Sequence, residues 1–201
     1  MQNKMSILSL DVGVRNMGVA ALDAATGEPT FAASLPLIEG SAILREGTIP
    51  AAVHAMFFEA DGPCAGLMSA AAVVLIEQQM VRKFLIVQHV IAACCIAHGK
   101  PFRFVAPRSV KAFFATGKPA RRGTPREVAG RIANYAANKR SAVAVAREIY
   151  PSAFARGGGK QDDVADALLQ ARWFWVGKAT TPGAVRRQRR VTRLPGGRAS
   201  K

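Results

Sequence analysis

A chain of 201 residues suits one domain with at most a short appendage, and half of its residues are hydrophobic, enough to bury a core. Its net charge of +15 excludes an ordinary balanced surface and points to a polyanionic partner, nucleic acid first and an acidic membrane surface second. In chain order, residues 5–11 read as a buried strand that ends on Asp11. Residues 16–23 and 30–37 read as strands joined by the turn ATGEP, where Gly27 and Pro29 punctuate a hairpin. Pro50 opens a helix over 50–60. The run AAAVVLIEQQ at 70–79 is a strand that ends on Glu77. A helix over about 81–98 stops at Gly99. Within it FLIVQHVIAACCIA is about 14 residues, short of the roughly 20 that span a bilayer, so it reads as a core helix. FRFVAP at 102–107 is a short strand stopped by Pro107, and SVKAFFATG at 109–117 is a short helix capped by Ser109.

The segment GKPARRGTPREV reads as a loop or arm, 125–150 as mostly helical, and ARGGGK at 155–160 as a flexible linker. DDVADALLQARWFWV at 162–176 is a helix whose acidic first turn suits the positive end of its dipole. The stretch from 178 is basic, with seven Lys/Arg from Arg186 onward and no acid, and is expected to stay disordered until bound. A hairpin followed by β–α–β crossovers makes an α/β domain with a mixed sheet. It is expected over residues 1–177, with 178–201 as a basic tail.

The charge is unevenly distributed. Residues 1–77 hold three Lys/Arg and eight Asp/Glu, a net of −5, whereas residues 78–201 hold twenty-five and five, a net of +20. The acids left in the basic part are Glu127, Glu148, Asp162, Asp163 and Asp166. The last three crowd together and need cations or a metal beside them. Cys64, Cys94 and Cys95 have no metal-ligand spacing and read as reduced and buried, in an intracellular protein.

Asp11 and Glu77 each end a strand. If those strands are parallel neighbours, both carboxylates emerge at one sheet edge. Asp163 and Asp166, three residues apart, share a helix face. Four converging carboxylates repel one another without cations. Hard divalent ions such as Mg²⁺ or Mn²⁺ take oxygen ligands of this kind. A pair of them can activate a water and stabilise the leaving oxygen of a phosphodiester. Gly13 and Gly18 are expected to let DNA approach the backbone near Asp11. Taken singly, each acid reads equally well as a turn aspartate, a strand-end ion pair or a helix cap. The set, in so basic a chain, favours metal chemistry. Lys111 reads either as a solvated helix lysine or as a group that reaches the scissile phosphate. Arg121, Arg122, Arg126, Arg131, Lys139 and Arg140 are candidates for DNA-backbone contacts. Phe113 and Phe114 are expected in the core, Tyr135 is a candidate for stacking at a branch, and Trp173 and Trp175 are expected to pack on the sheet.

LDVGVRNMGVA with Asp11, VLIEQQ with Glu77, PRSVKAFF with Lys111 and KQDDVADALL with Asp163 and Asp166 occur in that order. Together they resemble the RuvC-like Holliday junction resolvases of the RNase H superfamily, most closely the poxvirus-type viral enzymes. The likeness spans about residues 5–175. It implies an RNase H-like mixed sheet flanked by helices, with the catalytic edge at the strand ends. It further implies a homodimer that binds a four-way DNA junction and cuts two opposed strands by symmetric paired nicks. Asp11, Glu77, Asp163 and Asp166 would hold two Mg²⁺ per active site, with Mn²⁺ substituting, and Lys111 would be the active-site lysine. No membrane and no small-molecule cofactor are implied. Within the aspartate doublet, Asp163-Val-Ala-Asp166 fits the family's D-x-x-D, which leaves Asp162 as a cap or outer residue. A viral source would place the enzyme in the host compartment of viral DNA replication; mitochondrial and phage origins also fit. Rival readings are a related nuclease acting on RNA–DNA hybrid or structured RNA, an actin-like ATPase, and a non-catalytic basic DNA-binding protein. The basic tail departs from the family pattern.

Overall fold

The computed structural model describes residues 5–38, 48–116, 126–155 and 160–180, with the backbone alone for 126–136 and 178–180. Strands β1 (Ser6–Asp11), β2 (Met17–Asp23) and β3 (Pro29–Leu35) come first. Helices α1 (Thr48–Phe57) and α2 (Ala65–Ala70) lead to β4 (Ala71–Glu77), and α3 (Arg82–Ala97) connects β4 to β5 (Phe102–Val105). Helices α4 (Pro107–Phe113), α5 (Arg126–Ile149), α6 (Pro151–Phe154) and α7 (Gln161–Thr180) complete the order.

The five strands form one sheet in the order β3-β2-β1-β4-β5. The β1–β2 and β2–β3 pairs are antiparallel, and the β1–β4 and β4–β5 pairs are parallel. This is the mixed sheet that the hairpin and crossover pattern implies. The first hairpin closes on Asp23, whose Oδ1 accepts the Ala25 and Thr26 amides at 2.8 and 3.1 Å. Gly27 supplies the positive φ of +74° that ends the turn.

Alternation along the central strands builds two cores. Leu8 and Leu10 of β1 join Val74 and Ile76 of β4 under α1, α2 and α3. Ile7 and Leu75 face the other way and meet α4, α5 and α7. Burial on both faces explains why β1 and β4 read as continuous apolar runs.

Several boundaries differ from the sequence expectation. Helix α4 starts at Pro107, which suits the first helical position, so Ser109 lies inside the helix and caps nothing. Helix α2 was not expected; the alanines around 70 serve helix and strand alike, and α2 runs straight into β4. The single turn α6 follows Tyr150. Helix α7 continues through Gly177 to Thr180, so the expected boundary at 177 falls within a helix; residues 181–201 lie outside the described residues. Phe113 is 52% exposed rather than in the core, whereas Phe114, Trp173 and Trp175 pack against the second core. Cys64 and Cys95 are buried, Cys94 is half-buried, and all three are free. Among the described residues no helix is long and apolar enough to cross a membrane.

Candidate active site

The parallel register pairs Leu10 with Ile76, so the next residue on each strand, Asp11 and Glu77, emerges at the same edge. The two carboxyls stand close enough to share a hydrogen bond. Helix α7 crosses this edge with its first turn. Gly18 is the β2 partner of Asp11. A Cβ on Gly18 would stand 2.1 Å from the Asp163 carbonyl oxygen and 3.0 Å from Asp11 Cβ. The missing side chain therefore admits α7, not DNA. At Gly13 a Cβ would meet the Asn16 carbonyl oxygen at 1.8 Å, so that glycine serves its own turn. Both observations correct the expectation that these glycines clear space for a nucleic acid.

Asp163 and Asp166 come from the first two turns of α7. Asp163 is 6% exposed, and its Oδ2 is buried without a hydrogen-bond partner. Asp166, Glu77 and Lys111 line one cleft, together with Thr116, Gln170, Leu169, Val110 and Pro107. Lys111 stands in the last turn of α4.

The acids are held away from their usual behaviour. Burial drives Asp11 well above the carboxylate range, and the charges of Glu77 and Asp163 add to it against Lys139. Burial also raises Glu77; the Asp11 hydrogen bond, Lys111 and Gln79 pull it down, while Asp166 pushes it up. Asp166 is pushed up to about 7 by burial and then by Asp11, with Lys111 and Lys139 opposing. Asp163 is raised by burial and by the charge of Asp162. Asp162 is different: burial acts against it, but Lys139 and Lys160 together hold it below its ordinary value.

A second set of residues fixes the first. Gln79 Nε2 donates to Glu77 Oε2, and Gln79 N donates to Gln88 Oε1 at 2.6 Å, which ties Glu77 to α3. Gln170 Nε2 donates to Ser9 Oγ at 3.0 Å, with the Leu10 and Leu75 carbonyls at 3.4 Å. That buried amide pins α7 to β1 and β4 directly below the acids. Sequence reasoning missed it, although a serine in the apolar run of β1 and a glutamine one helical turn after Asp166 were available signals.

Of the candidate DNA contacts, Arg140 is exposed on α5, and Lys139 lies against Asp162. Arg126 and Arg131 are on α5, and so is Tyr135, but their side chains lie outside the described residues. Arg121 and Arg122 lie outside altogether.

Among the described residues no three acid, histidine or cysteine side chains close around one point as a finished ion cage. The donors nevertheless suit a hard cation. They are oxygen only, they repel one another, and a buried Asp163 oxygen is left over.

No protein-family profile matches the chain, and no curated protein matches it in sequence. Solved structures do. T. thermophilus RuvC in complex with a Holliday junction substrate superposes with a TM-score of 0.55 at 13% identity, covering 88% of this chain and 96% of that one. A second Thermus thermophilus RuvC structure gives 0.54 at 15%, over 87% and 96% of the two chains. The yeast mitochondrial Holliday junction resolvase Ydc2 gives 0.54 at 13%, over 88% and 81%. At such identities the likeness carries the fold: this chain has the RNase H-like mixed sheet, flanked by helices, of the RuvC-type resolvases.

Proposed function

We propose that the protein is a metal-dependent endodeoxyribonuclease that resolves four-way DNA junctions by symmetric paired nicks. The observation that carries this reading is the meeting of Asp11, Glu77, Asp163 and Asp166 at one sheet edge, with Lys111 beside them, in a chain of net charge +15. The fold it shares with RuvC-type resolvases supports it. Asp11, Glu77, Asp163 and Asp166 would hold two Mg²⁺, with Mn²⁺ substituting. When bound, such ions activate the attacking water and stabilise the leaving oxygen of the phosphodiester.

The protein's own groups do the rest. Gln79 and Gln88 orient the Glu77 carboxylate, and Gln170 sets the height of Asp166 over the strand ends. Lys111 places an ammonium where it can neutralise a non-bridging phosphate oxygen as charge develops. Arg140 and the arginines Arg121, Arg122, Arg126 and Arg131 would bind the DNA backbone, so that the branch is selected by shape rather than by sequence. Two matched nicks need two active sites facing two strands, which makes the working form a homodimer. The motif likeness to the poxvirus-type enzymes makes a large DNA virus the proposed source. The nuclease would extend through the end of α7 at Thr180, and the basic stretch beyond it would add non-specific affinity for DNA.

The test is incubation with a labelled four-way junction in Mg²⁺, beside a linear duplex, an RNA–DNA hybrid and the Asp11→Asn variant. Paired nicks confined to the junction and lost in the variant are the expected result. Cleavage of the hybrid alone would move the activity to RNA processing. Tight junction binding without any cleavage, in Mg²⁺ or Mn²⁺, would end the enzyme reading.

A further inference from the structure

From the sequence, Lys139 is one more candidate for the DNA backbone. Its amine stands elsewhere. It contacts Oδ2 of Asp162, in the acidic first turn of α7, and the two side chains are only 25% and 18% exposed. Lys160 flanks the same turn, 3.7 Å from that oxygen and 3.5 Å from Asp163 Oδ1, but its side chain is 51% exposed. Two ammonium groups from different segments thus bracket the turn. Lys139 is the better shielded and is carried by a long helix packed on α7. Its charge is felt inside the site, where it opposes the upward shift of Asp11, Asp163 and Asp166. Water screens Lys160 far more.

We propose that Lys139 is a resident counter-cation of the acidic turn, present in the metal-free protein and competing there with an incoming divalent ion. The inference rests on the metal-dependent reading of the site. An ammonium on Asp162, next in the chain to the ligand Asp163, offsets the negative charge of the turn, and it also repels a second cation. It therefore holds the turn together without metal and sets the threshold at which metal enters. Displaced from Asp162, the same ammonium is left at the mouth of the site, where a DNA phosphate is the anion to pair with.

Free Mn²⁺ followed by electron paramagnetic resonance, with the full chain at pH 8.5 and no DNA, tests this. Lys139→Met is expected to bind Mn²⁺ about three- to tenfold more tightly than wild type, the effect of removing one unit charge at a partly screened site. Lys139→Arg, which keeps the charge, is expected to match wild type. Lys139→Gln keeps a donor for Asp162, guards against a folding defect, and is expected to tighten like the methionine variant. In EDTA the neutral variants should melt below wild type and recover at saturating Mn²⁺; a merely structural lysine would lower both melts equally. Unchanged or weaker Mn²⁺ binding by both neutral variants, with wild type binding Mn²⁺ and nicking junctions, would overturn the counter-cation alone. Wild type that neither binds Mn²⁺ nor nicks would overturn the nuclease reading with it.

Discussion

Asp11, Glu77 and Asp166 are acids that the fold makes reluctant to ionise, and that reluctance has a measurable sign. Their folded pKa values lie above the unfolded ones, so the native state binds extra protons between about pH 4 and the folded values; for Asp166 that upper limit is about 7. Stability is full below this window and is lost as pH rises through it. In EDTA the melting temperature is expected to fall by several degrees from pH 5.5 to 8, and Asp166→Asn should flatten the slope. Added Mn²⁺ should restore the high-pH melt. The same substitution is expected to abolish cleavage, measured by single-turnover nicking, while leaving junction binding in place. Lys111→Ala should slow nicking by about 10²–10³-fold, the usual loss when a group facing developing charge is removed, with affinity for the junction little changed. These acids were legible in the sequence because an apolar run that stops on a carboxylate marks a strand end, and three-residue spacing marks a helix face. Gln79 stood in the VLIEQQ motif, without its bond to Glu77 being readable there, and Gln170 and Gln88 were not legible at all. An amide buried for one hydrogen bond looks, in a row of letters, like any surface glutamine.

Helix α7 decides whether the acids meet. Gly18 lets its first turn touch β2. The far end is held by Trp175 against Gly27, by Arg172 stacked 4.7 Å over Trp175, and by the Tyr150 hydroxyl donating to the Gly27 carbonyl at 3.0 Å. Gly18→Ala would press a methyl into the Asp163 carbonyl. Overpacking of this kind typically costs about 1–3 kcal/mol, and here backbone must move, so about 3 kcal/mol is expected in urea unfolding, with loss of nicking. Gln170→Leu keeps the bulk but leaves Ser9 Oγ without its donor. It is expected to cost about 1–2 kcal/mol and to lower the nicking rate more than the junction affinity. At this scale the sequence was informative about which elements exist and less so about their ends. Pro107 outcompeted Ser109 for the start of α4 because a fixed φ and an absent N–H suit the first helical position better than a cap suits the third. The alanines before β4 carried no pattern that could separate α2 from the strand.

Across the whole molecule the charge is divided: −5 over residues 1–77 and +20 over 78–201. Affinity for a junction should therefore be strongly salt-dependent. Raising NaCl from 50 to 200 mM, with Ca²⁺ in place of Mg²⁺ to prevent cutting, is expected to weaken binding by about 10³-fold or more, read by fluorescence anisotropy. The acids that would do the cutting lie at positions 11, 77, 163 and 166, on β1, β4 and α7, and no two of these elements are consecutive in the chain. During translation the N-terminal strands emerge first, and α7 is made long after β1 and β4. A nascent chain that has not reached α7 thus holds Asp11 and Glu77 without Asp163 and Asp166, and so does a product interrupted before α7. A chain assembled in this order cannot close the four-acid site until synthesis has passed α7 and the helix has docked.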